Sequence, residues 1–310
     1  MAQFLVTGGS GFIGSHLCKK LLSDGHSVRV LDNLSSGKRE NLSDVADEID
    51  FHEGDLRDEG ALQRSVRGVE FVLHHAAVAS VQTSVEQPLV EQQINAVGTL
   101  RLLEAARQAG VRRVVLAASA AAYGNDPRVP KDEQMLPTPE SPYAISKLAG
   151  EQYCRVYSNL HGLETVCLRY FNVYGPRQDP ASPYSGVISI FARRMLDGQA
   201  PLVHGDGRQT RDFVSVRDVV AANILACQTE PARGQVYNIG SGRASSLLDL
   251  LEALNAVLDS QIEARFVEAR AGDVRDSLAD IAKAQRELGY APAVHLEQGL
   301  RGVIDWMRAG

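Results

Sequence analysis

The sequence predicts an α/β protein in which a doubly wound parallel sheet is followed by a smaller mixed α/β lobe. Short apolar runs alternate with amphipathic helical patterns through the first half of the chain, as in consecutive βαβ units. Runs such as FLV and RVVLAA are almost wholly apolar, which is typical of strands buried on both faces of a parallel sheet. A loop from Gly175 to Gly186, rich in proline, glycine and tyrosine, separates this half from a more irregular remainder.

The elements of the first half follow from these patterns. The predicted strands are Phe4–Val6, Ser27–Leu31, Phe51–His52, Phe71–His74, Val114–Ala117 and Thr165–Arg169. The predicted helices include Ile13–Ser23, Ala61–Val66, Val90–Ala109 and Ser146–His161.

The second half mixes helices with short strands. Its predicted helices are Val187–Leu196, Val216–Thr229, Leu247–Leu258, Ile281–Glu287 and Leu296–Met307. Two strands are expected near Pro201–His204 and Gln235–Ile239. A length of 310 residues corresponds to two domains or one large one at about 150 residues per domain. We place the boundary near residue 175, giving domains 1–175 and 176–310, and expect some later segments to cross back.

Composition excludes several classes of protein. Lys and Arg number 32 and Asp and Glu 38, so the net charge of −6 argues against a nucleic-acid partner, which would need a basic face. No apolar run approaches the roughly 20 residues that span a bilayer, and the N-terminus reaches glycines before a signal-peptide core could form. Cys18, Cys154, Cys167 and Cys227 show no metal-ligand spacing, which favours reduced thiols in a cytoplasmic protein.

Gly8, Gly11 and Gly14 follow the first strand and open the first helix in TGGSGFIG. This is the glycine spacing of a Rossmann dinucleotide-binding turn. The first glycine permits a tight turn, the second lets the backbone approach a pyrophosphate, and the third lets helix and strand pack closely. The N-terminus of the helix then attracts the anion with free N–H groups and a positive dipole.

An acidic residue follows each of the next two predicted strands. Asp32 can accept hydrogen bonds from the adenosine ribose hydroxyls and would repel a 2′-phosphate, which predicts NAD rather than NADP. The alternative is that Asp32 only caps a turn. Asp55 and Leu56 follow the third strand and suit the edge of the adenine, although this segment could also be a simple turn.

Tyr143 and Lys147 lie one helical turn apart in SPYAISK, where Pro142 indicates the start of a helix. A free phenol has a pKa of about 10 and is a poor base near neutrality. A nearby ammonium and the positive nicotinamide of NAD⁺ are expected to lower that pKa and produce a base for a sugar hydroxyl. Ser119, just past the fifth strand, could bridge the reacting oxygen and Tyr143. The alternatives are a surface helix pair and a serine that only ties down a turn.

The sequence resembles the extended short-chain dehydrogenase/reductase family, specifically its NAD-dependent nucleotide-sugar epimerases. Together with the serine at position 119, the resemblance rests on TGGSGFIG, LDNLSSG, GDLRD, HHAA, NAVGTLRLLEAA, YAISK, LRYFNVYGPR, GDGRQTRDFVSVRD and YNIGSG. These segments occur in order from about residue 3 to about residue 300. The resemblance implies a Rossmann domain that holds NAD tightly and a C-terminal lobe that binds a nucleotide diphosphate sugar.

The resemblance also implies further contacts. Additional NAD-binding residues would be Phe12, Ile13, Asn33, Ser36, Gly37, His75, Ala76, Ala77, Asn95, Ala117, Tyr170 and Val173, besides Tyr143 and Lys147. Substrate-binding residues would be Ser80, Val81, Asn172, Val187, Arg211, Arg270, Asp273 and Ser277, besides Ser119 and Tyr143. Among them, Asn172, Arg211 and Arg270 would contact phosphates, and Asp273 the uridine ribose. From the residues alone, Arg211 could equally pair with its neighbour Asp212, and Arg270 could be an ordinary exposed arginine.

Alanines after Ser119 restrict the reaction. Family members that dehydrate their sugar place an acidic pair after the strand-end serine or threonine, whereas this chain has Ala120, Ala121 and Ala122. Alanine cannot exchange a proton, so dehydration is disfavoured, as is decarboxylation. What remains is reversible epimerisation at carbon 4. Tyr143 takes the 4-hydroxyl proton during oxidation, the 4-keto sugar turns about its diphosphate, and the hydride returns to the opposite face.

Ser277 suggests which sugar is used. By resemblance, it occupies the position where hexose-only 4-epimerases carry a bulky tyrosine beside carbon 2, so its small side chain leaves room for an N-acetyl group. The segment GDVRDSLADIAKA is most similar to bacterial UDP-N-acetylglucosamine 4-epimerases, which favours UDP-GlcNAc and UDP-GalNAc as substrates. The other possibility for Ser277 is that it caps a helix.

Three other functions remain open at this point. The protein could be a UDP-glucose/UDP-galactose 4-epimerase, a nucleotide-sugar 4-ketoreductase, or a cofactor-sensing protein without activity. The resemblance implies a homodimer formed through the helices Val90–Ala109 and Ser146–His161, although their apolar faces could also be buried within one chain. No metal is expected, and neither His74 nor His75 is assigned acid–base chemistry.

Overall fold

The structure is a computed structural model that describes residues 1–180, 186–269 and 274–309. Its strands are β1 (Gln3–Thr7), β2 (Ser27–Asp32), β3 (Ile49–Glu53), β4 (Phe71–His74), β5 (Arg113–Ser119), β6 (Glu164–Tyr170), β7 (Asn172–Tyr174), β8 (Leu202–His204), β9 (Thr210–Ser215), β10 (Gln235–Ile239), β11 (Ala244–Ser246) and β12 (Arg265–Val267). Its helices are α1 (Phe12–Ser23), α2 (Glu59–Val66), α3 (Val81–Glu86), α4 (Pro88–Gln92), α5 (Gly98–Gln108), α6 (Pro142–His161), α7 (Val187–Leu196), α8 (Val216–Gln228), α9 (Leu247–Leu258), α10 (Ala282–Leu288) and α11 (Leu296–Ala309). Short 3₁₀ segments occur at Arg39–Glu48, Ala120–Tyr123 and Glu230–Ala232.

A seven-stranded parallel sheet forms the centre of the molecule, with strand order β3-β2-β1-β4-β5-β6-β10. Buried apolar residues form a core cluster on each face of this sheet. The strand order reverses beside β1, since β2 lies on one side of it and β4 on the other. Ligands of such sheets bind at this reversal, outside the carboxyl ends of the strands. The predicted α/β fold is confirmed.

The C-terminal part of the chain adds a smaller lobe with its own apolar core, built around residues such as Phe191, Leu250 and Leu300. It contains a three-stranded sheet in the order β11-β9-β7 and a two-stranded sheet of β12 and β8. β10, however, pairs with β6 in the large sheet. The lobe is therefore not one continuous stretch of sequence.

Arg113 ties α8 to the large sheet. Its side chain is fully buried, and Nη1 donates to the carbonyl oxygens of Ala226 (2.8 Å), Cys227 (3.0 Å) and Thr229 (2.8 Å). These carbonyls lie at the C-terminus of α8, where backbone acceptors have no helical partner. A cation there stabilises both the helix end and its position beside β5.

The structure differs from the predicted elements in two ways. The single helix expected over Val90–Ala109 is divided into α4, a π-helical turn over Gln93–Val97 and α5. The short strands β7, β9, β11 and β12 were not predicted, because they are three to six residues long and several are polar. Such strands depend on pairing with distant segments and leave little periodic signal.

Two negative findings apply to the described residues. No helix in the described part of the chain combines the length and apolar character that crossing a bilayer requires. No group of His, Cys, Asp and Glu within those residues could hold a metal ion.

Candidate active site

The glycine turn after β1 is built from close backbone approaches. Gly8 has a φ of +70°, and a Cβ at this position would lie 2.7 Å from the nitrogen of Ala76. A Cβ at Gly14 would lie 2.1 Å from the carbonyl oxygen of Gly8, so α1 could not pack against the turn. Gly11 precedes α1 without a side-chain hydrogen bond from the described residues, which leaves the N–H groups of Phe12 and Ile13 at an open helix end. The turn therefore has the form of an anion cradle.

Asp32 stands at the far side of this cradle. Its carboxylate is 6% exposed and accepts from the N–H groups of Ser10 (2.9 Å) and Leu34 (2.8 Å). A turn-capping role is thus real, and it does not exclude a ligand because each carboxylate oxygen can accept more than one hydrogen bond. A Cβ at Gly37 would lie 2.9 Å from the Ser10 carbonyl carbon and 3.0 Å from Asp32 Oδ2, so the loop closes tightly on the acid.

A groove runs from this turn along the carboxyl ends of the strands. Of the residues expected to bind NAD, it is lined by Gly8, Gly11, Asp32, Asn33, Ser36, Gly37, Asp55, Leu56, His75, Ala76 and Ala77. Asp55 accepts from Asn33 Nδ2 (2.8 Å) and from Arg57 Nε and Nη2 (2.8 and 2.9 Å), and the guanidinium holds its pKa well below the usual value. The hydroxyl of Ser10 and Nδ1 of His75 are buried without a hydrogen-bond partner among the described residues. Glycine cradle, buried acid and unpartnered polar atoms together fit a dinucleotide.

Ser119, Tyr143 and Lys147 come together from β5 and the first turns of α6. Ser141 caps α6 by accepting from the N–H of Ala144 (3.2 Å), and Pro142 occupies its first position. Ser119 and Tyr143 line the same cavity, and the Ser119 hydroxyl is close enough to the Tyr143 phenol to lower its pKa. Lys147 Nζ lies 5.9 Å from the centre of the Tyr143 ring.

The geometry bears on two alternatives: that Ser119 only holds a turn, and that Tyr143 and Lys147 are a surface helix pair. Ser119 accepts from the N–H of Ala121 (3.1 Å), so it ties down the turn as well as contacting Tyr143. Lys147 is 9% exposed and donates to the carbonyl of Ala117 (2.9 Å). Tyr143 and Lys147 are therefore not a surface helix pair.

The expected lowering of the Tyr143 pKa assumed both Lys147 and a bound NAD⁺, and it stays a prediction. In the chain by itself, burial raises the pKa of the Tyr143 phenol, the nearby Ser119 hydroxyl opposes the rise, and the carboxylate of Glu91 adds to it. Burial also lowers the pKa of Lys147 to about 8. Desolvation is the largest influence on the pKa of both groups. Deprotonating Tyr143 therefore requires a further positive charge.

Glu91 and Asn95 form a buried polar cluster behind the catalytic residues. Glu91 is 1% exposed and accepts from Ser146 Oγ (2.5 Å) and from Asn95 Nδ2. Asn95 exchanges hydrogen bonds with the backbone of Val78, where Oδ1 accepts at 2.8 Å and Nδ2 donates at 3.0 Å. The structure thus places Asn95 behind the groove, where it holds the loop after β4. Sequence reasoning missed Glu91, since a lone glutamate on a predicted helix carries no recognisable signal.

His74, the last residue of β4, and His75, which follows it, are both neutral imidazoles. Burial lowers the pKa of each to about 3. His74 lies between Thr7 Oγ1 (2.7 Å) and Thr99 Oγ1 (3.0 Å), and His75 Nε2 lies 3.0 Å from the Tyr170 hydroxyl. Their contacts with Thr7, Thr99 and Tyr170 hold them in place, and neither ring gains a second proton near neutral pH.

A second cavity, of about 470 Å³, adjoins Tyr143. It brings together six of the expected substrate residues, namely Val81, Ser119, Tyr143, Asn172, Arg211 and Ser277. Tyr170, expected to contact NAD, also lines it. Sequence reasoning missed Asn125, Lys131 and Glu140 in its wall, because the loop that carries them has no recognisable motif.

Several expected site residues lie elsewhere. Ser80 is buried and caps α3 by accepting from the N–H of Thr83 (2.9 Å). Val173 packs against the core of the large sheet, and Val187 against the core of the C-terminal lobe. The remaining two, Arg270 and Asp273, fall outside the described residues.

Two simpler interpretations do not hold in the structure: that Ser277 caps a helix, and that Arg211 merely pairs with Asp212. Ser277 does not cap a helix: its N–H donates to Thr210 O (3.2 Å), and α10 begins only at Ala282. Asp212 does not simply pair with Arg211. It accepts from backbone N–H groups, those of Ser241 (2.6 Å), Gly242 (3.0 Å) and Ala279 (3.1 Å). Asp212 therefore fixes the segment that carries Ser277.

Comparison with known proteins identifies relatives of this architecture. The family model described as the NAD dependent epimerase/dehydratase family matches residues 4–240. The UDP-glucose 4-epimerase of Mycolicibacterium smegmatis is 42% identical over 98% of this chain and 98% of its own length. One similar solved structure is the UDP-N-acetylglucosamine 4-epimerase from Methanobrevibacter ruminantium M1 in complex with UDP-N-acetylmuramic acid. Its TM-score to this chain is 0.95 and its sequence identity is 37%. The match covers 99% of this chain and 98% of that one. The UDP-glucose 4-epimerase of Thermotoga maritima, with UDP-glucose, has a TM-score of 0.94 and 41% identity, with 99% of both chains covered.

Proposed function

We propose that this chain, which belongs to the NAD-dependent epimerase/dehydratase family and is an NAD-dependent UDP-sugar 4-epimerase, prefers UDP-GlcNAc and UDP-GalNAc as substrates. The observation that carries the preference is the position of Ser277. Its small side chain lines the same cavity as Tyr143, where a tyrosine would fill the space beside carbon 2 of the sugar. A solved relative with 37% identity is itself a UDP-N-acetylglucosamine 4-epimerase.

The second candidate is interconversion of UDP-glucose and UDP-galactose. Relatives of 42% and 41% identity carry the name UDP-glucose 4-epimerase. An open cavity beside carbon 2 does not prevent binding of the smaller hydroxyl group. The two candidates therefore differ in preference, and only the acetylated substrate would make use of the space at Ser277.

NAD would be held by the glycine turn, Asp32 and the groove between them. When bound, it supplies the hydride acceptor for carbon 4 of the sugar and a positive nicotinamide ring. Asp32 would accept from the ribose hydroxyls, and the N-terminus of α1 would face the pyrophosphate. The buried environment of this groove suits a cofactor that stays bound between turnovers.

Tyr143 would act as the general base. Its phenol lies near the Ser119 hydroxyl in the same cavity, where both groups would meet the 4-hydroxyl of the sugar. Burial keeps the phenol protonated until a positive charge arrives beside it, so base strength would be coupled to the oxidised cofactor. Lys147, held by the Ala117 carbonyl, would contribute positive charge beside the phenol and the cofactor.

The cavity would then allow the sugar to turn. Arg211 and Asn172 would hold the diphosphate, together with Arg270, while the uridine ribose would meet Asp273. With that tether fixed, the 4-keto sugar can present its opposite face, and Tyr143 returns the proton to the new 4-hydroxyl. The turn after Ser119 offers only alanine side chains at positions 120–122, so it supplies no acid or base for elimination.

We also propose a homodimer and a cytoplasmic location. Exposed apolar side chains lie on α4 and α6, and they include Leu89 (81% exposed), Val90, Ile145, Val156 and Leu160 (74% exposed). Pairing these helices with those of a second copy would bury that surface. The four cysteines are buried free thiols, which suits a reducing compartment. Residues 1–175 would form the NAD-binding domain and residues 176–310 the substrate lobe, with β10 crossing back.

One experiment tests the function directly. The purified protein is incubated with UDP-GlcNAc or UDP-glucose without added NAD, and the products are separated and identified. Conversion of both, with a higher kcat/KM for UDP-GlcNAc, is expected. A higher kcat/KM for UDP-glucose would contradict the preference and leave the second candidate. A requirement for added NAD⁺, reduced in step with formation of a 4-keto sugar, would instead indicate a 4-ketoreductase acting in reverse.

A further inference from the structure

Lys131 lies in the wall of the substrate cavity and takes no part in the chemistry described above. Its backbone is held on two sides: its N–H donates to Leu278 O (2.8 Å), and its carbonyl accepts from the N–H of Asp280 (2.8 Å). The amide of Asn238 also donates to this carbonyl (2.9 Å). These hydrogen bonds fix Lys131 beside the segment that carries Ser277.

Lys131 is buried, and none of the described residues forms an ion pair with its ammonium within 4.0 Å; the carboxylate of Asp126 is close enough to act on its charge without pairing with it. Lys131 is 2% exposed, and Nζ donates to the backbone carbonyl of Asp126. An ammonium carries three donors, and this contact uses one of them. Burying a charge costs free energy unless partners compensate for it, and accordingly burial lowers the pKa of this lysine. A buried cation with unused donors at a cavity wall is typical of a ligand-binding position.

We propose that Lys131 donates a hydrogen bond to the carbonyl oxygen of the substrate's 2-acetamido group. The assignment rests on the proposed function, which places Ser277 beside carbon 2 of the sugar. Lys131 and Ser277 line one cavity together with Tyr143, which would act at carbon 4, and Arg211, which would hold the diphosphate. An acetamido oxygen lies two bonds further from the ring than a 2-hydroxyl oxygen does. Lys131 would therefore reach the acetylated sugar and contribute little to binding of the plain one.

The substitution Lys131→Met tests this assignment. It removes the ammonium but keeps most of the methylene chain and all three backbone hydrogen bonds. Lys283→Met is a matched control, since Lys283 also donates to protein acceptors, Gln235 Oε1 (2.9 Å) and the carbonyl of Val236 (2.9 Å), but does not line the cavity. We expect Lys131→Met to raise KM for UDP-GlcNAc by about 10- to 100-fold, the value of a charge-assisted hydrogen bond. KM for UDP-glucose and both kcat values should stay near wild type.

The outcomes separate this assignment from the proposed function. An equal loss with both nucleotide sugars would show that Lys131 only shapes the cavity wall, and unchanged kinetics would show that it makes no contact; either result overturns the assignment. Wild-type protein tests the substrate preference by itself. If wild type prefers UDP-glucose while Lys131→Met still weakens use of UDP-GlcNAc selectively, the proposed preference fails and the Lys131 contact stands.

Discussion

The dinucleotide groove and the substrate cavity are built in different ways. Every residue that lines the groove lies between Gly8 and Ile94, mostly in short loops that directly follow strands of the large sheet. The cavity is assembled from segments as far apart as Val81 and Ser277. Backbone approaches at glycines define the groove, whereas side chains from distant elements define the cavity. A binding site made by one local motif is therefore specified by few residues, and a site made between lobes depends on many.

Among changes in the substrate cavity, removal of the Tyr143 hydroxyl should have the largest effect on catalysis. Tyr143→Phe removes the general base and should lower kcat by about 10²- to 10⁴-fold, with NAD still bound. Rates and the NAD content of the purified protein provide the measurement. Tyr153→Phe, on the same helix but outside the cavity, is the control and should keep full activity. Substantial activity in Tyr143→Phe would contradict the mechanism.

The groove should respond most strongly to a single methyl group at Gly8. Gly8→Ala places a Cβ 2.7 Å from backbone at Ala76, so the turn must shift and NAD should be lost. Gly110→Ala is a matched control, because Gly110 has the same φ of +70° with nothing within 4 Å of the added methyl. It should cost only about 1 kcal/mol of stability and retain NAD. The absorbance of cofactor released on denaturation measures the difference, and equal NAD content in both variants would refute it.

The depressed pKa of Lys147 predicts how stability changes with pH. Between about pH 8 and 10.5 the unfolded chain binds a proton at this lysine that the folded chain does not. The free energy of unfolding should therefore rise with pH in this window and be lower below it, by up to about 3 kcal/mol for this group alone. Denaturant titrations of cofactor-free wild type and Lys147→Met isolate the contribution. Parallel pH profiles for the two proteins would show that Lys147 is not desolvated.

A smaller effect, confined to the cavity, is expected at Ser277. Ser277→Tyr should fill the space beside carbon 2 and lower kcat/KM for UDP-GlcNAc by about 10- to 100-fold, while UDP-glucose remains a substrate. Ser277→Ala is the control, since it keeps the space and removes only the hydroxyl. Initial rates with both nucleotide sugars decide the question. Unchanged turnover of UDP-GlcNAc by Ser277→Tyr would remove Ser277 as the determinant of preference.

The sequence determined the parallel sheet, the glycine turn and the helical spacing of Tyr143 and Lys147. Each is a local pattern: apolar runs predict buried strands, and glycines with defined spacing predict a tight turn beside a helix N-terminus. For the same reason, α7 (Val187–Leu196), α9 (Leu247–Leu258) and β10 (Gln235–Ile239) begin and end as predicted. Short polar strands such as β9 escaped prediction because their stability comes from partners distant in sequence.

Only the tertiary structure decided which groups share an environment. It placed Glu91 near Tyr143 and Lys147, and Lys131 beside the segment that carries Ser277, from elements with no motif of their own. It also decided how strongly burial raises the pKa of Tyr143 in the chain by itself, because desolvation depends on everything packed around the phenol. Local patterns encode backbone conformation, which neighbouring residues control. Burial, charge proximity and cavity shape arise from contacts between segments far apart in the chain, and so they appear only when the protein folds.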